Sequence, residues 1–176
     1  LEVTVTQVLG PFTKYDDVPG YIIEPAQLRG TTVHRACFNY ARKKYNAPMP
    51  LEYELRLRSF KEWFDIMVEK VILIEPELRD KKMQLVGHPD FILKVKAFSK
   101  LSIVDVKPPT GGGRIWVAQV AAYEHLALVN GFETENNGYL RLNPHGKTPI
   151  FEPCPKDKNG FNGFYAALQA FRYFNT

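Results

Sequence analysis

The hydrophobic pattern of this chain changes period at Val71, and that change decides which class of fold it can adopt. Before it, Phe60, Trp63, Phe64, Met67, Val68 and Val71 recur roughly every 3.6 residues, the spacing of one helix face. After it, 71–75, 82–86, 91–96 and 101–107 are short runs rich in β-branched and aromatic residues, separated by charged or turn-forming residues, which is the pattern of strands. Helical spacing returns after the break Gly111-Gly112-Gly113, at Ile115, Ala118, Ala122, Leu126 and Val129, and again over 164–174. An earlier helix is predicted over 27–44, ended by Pro48 and Pro50 and carrying Arg42-Lys43-Lys44 at its C-terminal end. Ser59 and Glu62 read as a capping box that opens the second helix. Asn137-Gly138 reads as a hairpin-type turn before a strand over 139–142, with Ile150-Phe151 as its partner. Residues 1–25, with Pro11, Pro19, Gly20 and Pro25, read as an irregular lead-in to a core over 26–176. The order helix, helix, strands, helix, strands, helix describes one α/β or α+β domain around a small sheet.

Composition narrows the class further. A chain of 176 residues, 45% hydrophobic, can bury a real core and is not disordered throughout. No run approaches the ~18 apolar residues of a membrane span, and Leu1-Glu2-Val3-Thr4 lacks the zones of a secretory signal. Two cysteines, Cys37 and Cys154, cannot build a four-cysteine zinc or iron–sulfur site, and the simpler setting is a reduced cytoplasm. The net charge of +4 permits a polyanionic partner without demanding one.

Chemistry enters through acids in strands that should be apolar. Asp90 immediately precedes Phe91-Ile92-Leu93, and Asp105 lies inside Ile103-Val104-Asp105-Val106-Lys107. A carboxylate buried there without a partner would be costly, so something must compensate it. If 97–100 is a turn, Asp90 falls opposite Lys107 and Asp105 opposite Ile92, and period-two alternation puts both acids and the lysine on one sheet face. Two readings of this set stand. It is an Asp–Lys ion pair across a hairpin, or a hard, oxygen-rich site for Mg²⁺ or Mn²⁺ with an ammonium that orients water and stabilises phosphate charge. Glu75, ahead of Pro76, reads alone as a strand-end charge, and His34 as a structural helical histidine. Gln119 and Tyr123, four apart on the third helix, read as a hydrogen-bonding pair.

Taken in order, these residues resemble a known signature. Gly30 to His34, Glu75, Gly87-His88-Pro89-Asp90, Asp105-Val106-Lys107 and Gln119-Val120-Ala121-Ala122-Tyr123 are similar to the helical His, G-x-x-D, D/E-x-K and Q-x-x-x-Y elements of the RecB-like branch of the PD-(D/E)XK nuclease superfamily. The likeness covers about 3–125, and Val3 to Leu9 with Arg29 to His34 also look similar to phage and prophage members. It implies a single nuclease domain over 1–176 with an α/β, restriction-endonuclease-like core, a central mixed sheet flanked by helices. It implies a divalent-metal-dependent DNA nuclease, of the kind without an iron–sulfur cluster, that hydrolyses phosphodiester bonds. The expected role is that of an exonuclease in recombination, repair or phage DNA processing. Asp90 and Asp105 would ligate Mg²⁺ or Mn²⁺, His34 would complete the site, and the Val106 backbone carbonyl would add a further ligand. Glu75 would support the site directly or through water, and Lys107 would position or activate the attacking water. Gln119 and Tyr123 would hold the lysine and contact DNA near the scissile phosphate. Arg114, after the three glycines, opens the third helix either at a phosphate-contacting loop or after a plain flexible turn.

The expected partners are DNA, single- or double-stranded and at its ends, and a recombination or helicase protein, with no membrane. The expected location is the cytoplasm, the host's if the gene is a phage's. The alternative of another class is a catalytically inactive nucleic-acid-binding domain of the same fold. A hydrolase of small phosphate compounds is weaker, because nothing resembles a nucleotide-binding loop.

Overall fold

In a computed structural model that describes residues 2–13, 19–107, 113–155 and 158–175, the β-branched run ahead of Lys107 becomes the middle strand of a mixed five-stranded sheet. Its strands are β2 (Val68–Ile74), β5 (Phe91–Val95), β6 (Leu101–Lys107), β7 (Gly138–Arg141) and β8 (Ile150–Pro153), side by side in that order. β6 and β7 run parallel, and the other neighbours run antiparallel. A smaller sheet joins β1 (Val3–Thr4), β4 (Leu85–Gly87) and β3 (Leu78–Asp80). The helices are α1 (Val5–Leu9), α2 (Gly20–Ala41), α3 (Leu51–Met67), α4 (Arg114–Val129) and α5 (Lys158–Phe174). The chain is therefore α/β, with mixed sheets flanked by helices.

Alternation along β5 and β6 divides the interior in two. Ile92 and Ile103 point into a core filled by Val5, Val8, Ala122, Tyr123, Leu126, Phe164 and Leu168, from α1, α4 and α5. Phe91, Leu93, Val95, Val104 and Val106 point into the opposite core, filled by Val33, Cys37 and Phe38 of α2 and Leu57, Phe60 and Trp63 of α3. β6 is apolar on both sides because both sides are covered, and Asp105 lies on the α4 side with Ile103.

Several local expectations are corrected. The lead-in is not irregular: Thr4 caps α1 in a full capping box with Gln7, and α2 starts at Gly20 with Pro25 inside it. Proline's fixed φ suits a helix, and here it removes one hydrogen bond from a stretch that is largely exposed. Ser59 is no helix cap, because α3 begins eight residues earlier after Pro50, with Glu52 and Glu54 in its first turn. Buried Ser59 instead accepts the Asn143 amide at 2.9 Å, and Glu62 accepts the Thr148 hydroxyl, so both tie α3 to the loop after β7. Lys82 lies in the turn between β3 and β4 rather than in a strand. Asn137-Gly138 is not a hairpin turn but the entry to β7, which starts at Gly138 and is reached from α4. Gly138 has to be glycine, since a Cβ there would lie 2.2 Å from the Glu152 carbonyl. The expected strand over 139–142 and its partner at 150–151 do pair as β7 and β8.

Candidate functional site

The site forms where β6 outruns β5. Phe91 pairs with Val104, so beyond that point β5 no longer lies alongside, and the Val106 amide and carbonyl on that side need other partners. Two side chains supply them. Asp90 Oδ2 accepts the Val106 N–H at 2.7 Å, and His34 Nε2 donates to the Val106 carbonyl at 2.8 Å. A carbonyl only accepts, so Nε2 carries the ring proton and Nδ1 faces Asp90 Oδ1, 3.9 Å away.

The strand register differs by two residues from the expected one: Phe91 pairs with Val104 rather than Val106, which brings Asp90, one residue before the ladder, level with Asp105 instead of Lys107. An even shift keeps every side chain on its face, so the convergence of acids and lysine survives. Lys107 Nζ lies 2.5 Å from Asp105 Oδ2 and donates to Gln119 Oε1 at 2.9 Å. Gln119 Nε2 in turn donates to the Tyr123 hydroxyl at 3.0 Å. β6 thus provides the charged groups, and one face of α4 provides a relay of polar groups that holds the ammonium in place. α4 can come this close because β4 presents Gly87, where a Cβ would lie 2.5 Å from Leu126 Cδ1 and 3.0 Å from the Tyr123 ring.

Burial and the facing Asp105 carboxylate push the Asp90 acid up to about 7, against the opposing pull of His34, Lys107 and the Val106 amide. Burial, then Asp105, drives the Tyr123 phenol well above its ordinary range, so it is a neutral hydrogen-bonding group. Burial and Asp105 likewise push the Cys154 thiol up to about 12, which removes it as a nucleophile. Asp105 Oδ2 is buried and, apart from its ion pair with Lys107, accepts no directed hydrogen bond from the described residues.

Other expected residues are less central. Glu75 sits next to Asp90 through the backbone, its N–H donating to the Asp90 carbonyl at 2.9 Å, with φ at +50°. Its side chain, however, is half exposed and paired with Arg42 at 3.3 Å. Arg114 is the exposed first residue of α4, behind Gly113 at φ +110°. Gly111 and Gly112 lie outside the described residues. His34 is joined to the Val106 carbonyl, and among the described residues no three His, Cys, Asp or Glu side chains are grouped to hold a metal ion.

Sequence reasoning missed two groupings. Trp116, Tyr139, Arg141 and Glu152 cluster beside Lys107. Their signal would have been the alternation of β7, once β7 was known to lie parallel to β6. Asp80 of β3 and His125 of α4 form a pair at 2.8 Å. Asp80 also accepts the Lys82 and Met83 amides, a turn-closing role that Asp at such a position often has.

Comparison with models of known protein families finds none that matches the chain, and no curated protein matches it. No helix among the described residues is long and apolar enough to cross a membrane.

Proposed function

We propose that this chain is a divalent-metal-dependent deoxyribonuclease with a restriction-endonuclease-like core, acting on DNA ends in recombination, repair or phage DNA processing. The observation that carries this reading is the juxtaposition of a buried carboxylate, Asp105, and a partly buried one, Asp90, with an ammonium tied to the first and to Gln119. A plain ion pair needs one acid and one base. The second acid, which pushes its neighbour's proton affinity up, is an electrostatic cost that a cation would offset.

The donor set suits such an ion. Among the described residues, buried Asp105 Oδ2 accepts no directed hydrogen bond beyond its ion pair with Lys107, and carboxylate with carbonyl oxygen is the chemistry Mg²⁺ and Mn²⁺ take. Asp90 and Asp105 would hold it, with the Val106 carbonyl and His34 adjoining. When bound, a divalent ion supplies an acidified water and positive charge against a phosphate. Lys107 orients the attacking water and neutralises charge that develops on the phosphate oxygens. Gln119 fixes Lys107, Tyr123 fixes Gln119, and Glu75 with Arg42 braces the strand end next to Asp90. Arg114 faces solvent, available to a phosphate.

The experiment is a Mn²⁺ cleavage assay on linear single-stranded, linear double-stranded and circular single-stranded DNA. Asp105→Ala abolishes cleavage of the linear substrates, and Lys107→Ala slows it by about 10²–10⁴-fold. Undiminished cutting by Asp105→Ala disproves the assignment, and cleavage of closed circles disproves the preference for ends.

A second reading, a nucleic-acid-binding domain without catalysis, draws on the absence of a grouped three-ligand set among the described residues and on the use of His34 and Asp90 to complete β6. Cleavage by the parent protein that Asp105→Ala lacks would exclude it.

A further inference from the structure

The face that carries Asp105 and Lys107 does not end at β6. Across the parallel pair, Asp105 lies beside Tyr139 and Lys107 beside Arg141, and across the next pair Tyr139 lies beside Glu152. Adjacent strands stand about 4.8 Å apart, so Arg141 continues the row of Lys107 one strand further. Its guanidinium is held in a fixed orientation. Glu152 takes its Nε and Nη2 edge, and the Trp116 and Tyr139 rings lie 5.1 and 5.4 Å from its centre. Trp116, in the first turn of α4, meets Tyr139 edge-on at 5.1 Å and also has the Lys107 ammonium 5.6 Å from its ring. The indole is only partly buried.

An immobilised planar cation, a neighbouring ammonium and a partly exposed indole together match the parts of a nucleotide. Cations meet the phosphate, and an aromatic face meets a base of any identity. A base paired in a duplex keeps its faces inside the stack, so an indole can take it only from a single strand or a frayed end. We propose that Trp116 and Arg141 form a subsite for the nucleotide adjoining the cleaved bond, Trp116 stacking on the base and Arg141 holding its phosphate, and that the substrate is therefore single-stranded DNA or a frayed end. The proposal rests on the nuclease reading for the position of the bond, and the binding chemistry stands without it.

The test measures binding with EDTA present, so that no metal or turnover contributes. The probes are a labelled oligothymidylate and a strand of equal length made of abasic sugar phosphates, followed by fluorescence anisotropy. The parent protein binds the base-bearing strand more tightly by roughly 5- to 100-fold, the range that one base–aromatic stack supplies. Trp116→Ala removes this preference, and Trp116→Phe, which keeps a ring, retains most of it. Arg141→Gln weakens both strands alike. Equal binding of the two strands by the parent, or an unchanged preference in Trp116→Ala, overturns the subsite. A parent that cuts DNA with Mn²⁺ but shows no preference loses the subsite and keeps the nuclease reading. A preference without any cleavage keeps the subsite and removes that reading.

Discussion

At the scale of single residues, polar side chains in this protein stand in for absent strands. Asp90 and His34 complete the Val106 backbone where β5 has ended, and Asn137 Oδ1 accepts the Ile103 N–H at 2.8 Å just before β7 begins. Asp80 does the same for the β3–β4 turn, accepting two amides with one oxygen and His125 with the other. Burial opposes its ionisation, but the Met83 and Lys82 amides and His125 outweigh burial and hold the carboxyl below its usual range. A depressed folded value means stability that is present above the unfolded value, about 3.9, and is lost as pH falls through the folded one. Asp80→Asn keeps one acceptor and loses the charge, so it should cost about 1–3 kcal/mol near neutral pH. Urea unfolding across pH should show the gap between parent and variant narrowing once pH falls below about 4 and closing only below the depressed folded value, where both side chains are uncharged. A gap of constant size would mean that the charge contributes nothing and that only shape matters at this position.

At the scale of elements, the site depends on how near α4 comes to the sheet. That approach is set by Gly87, since the Tyr123 ring and Leu126 occupy the space of any side chain there. Gly87→Ala should push α4 outward, destabilise by about 1–3 kcal/mol as overpacking does, and loosen the Gln119 hold on Lys107. The expected outcome is a larger loss of cleavage than a surface change of equal thermodynamic cost produces, read by pairing urea unfolding with the Mn²⁺ assay. The same elements show what could be read without a structure. β6 was legible over its whole length, because a strand covered on both faces is mostly apolar and β-branched, here through Ile103, Val104 and Val106. The convergence of Asp90, Asp105 and Lys107 was legible despite a wrong register, since only an odd shift would have turned one strand over. The start of α2 was not, because Gly20 and Pro25 carry breaker signals that a largely exposed helix end tolerates. Nor was Ser59, whose apparent cap with Glu62 is a pair of long-range bonds to the 143–148 loop. Arg141 and Trp116 were out of reach for a topological reason. Their place beside Lys107 depends on a parallel crossover through α4, which local periodicity does not encode.

At the scale of the molecule, two cores share one sheet, and the site lies where both reach its end. His34 comes to Val106 from the α2 side, while Gln119 and Tyr123 come to Lys107 from the α4 side. Phe60 is fully buried in the first of these cores and Leu126 in the second, yet Phe91, Ile92, Ile103 and Val104 of the same two strands line both in alternation. Neither core can lose order without stripping one face from β5 and β6, so the two should unfold together. Phe60→Ala is expected to cost about 3–5 kcal/mol and Leu126→Ala about 2–5 kcal/mol. Each should lower the whole unfolding curve as one transition, with coincident helix and tryptophan signals. Trp63 reports from one core and Trp116 from beside the other, so a split would be visible. If Leu126→Ala melts the Trp116 environment while Trp63 stays native, the cores are independent. The site would then be a joint between two units, held by the His34–Val106 and Asp90–Val106 bonds rather than by a continuous fold.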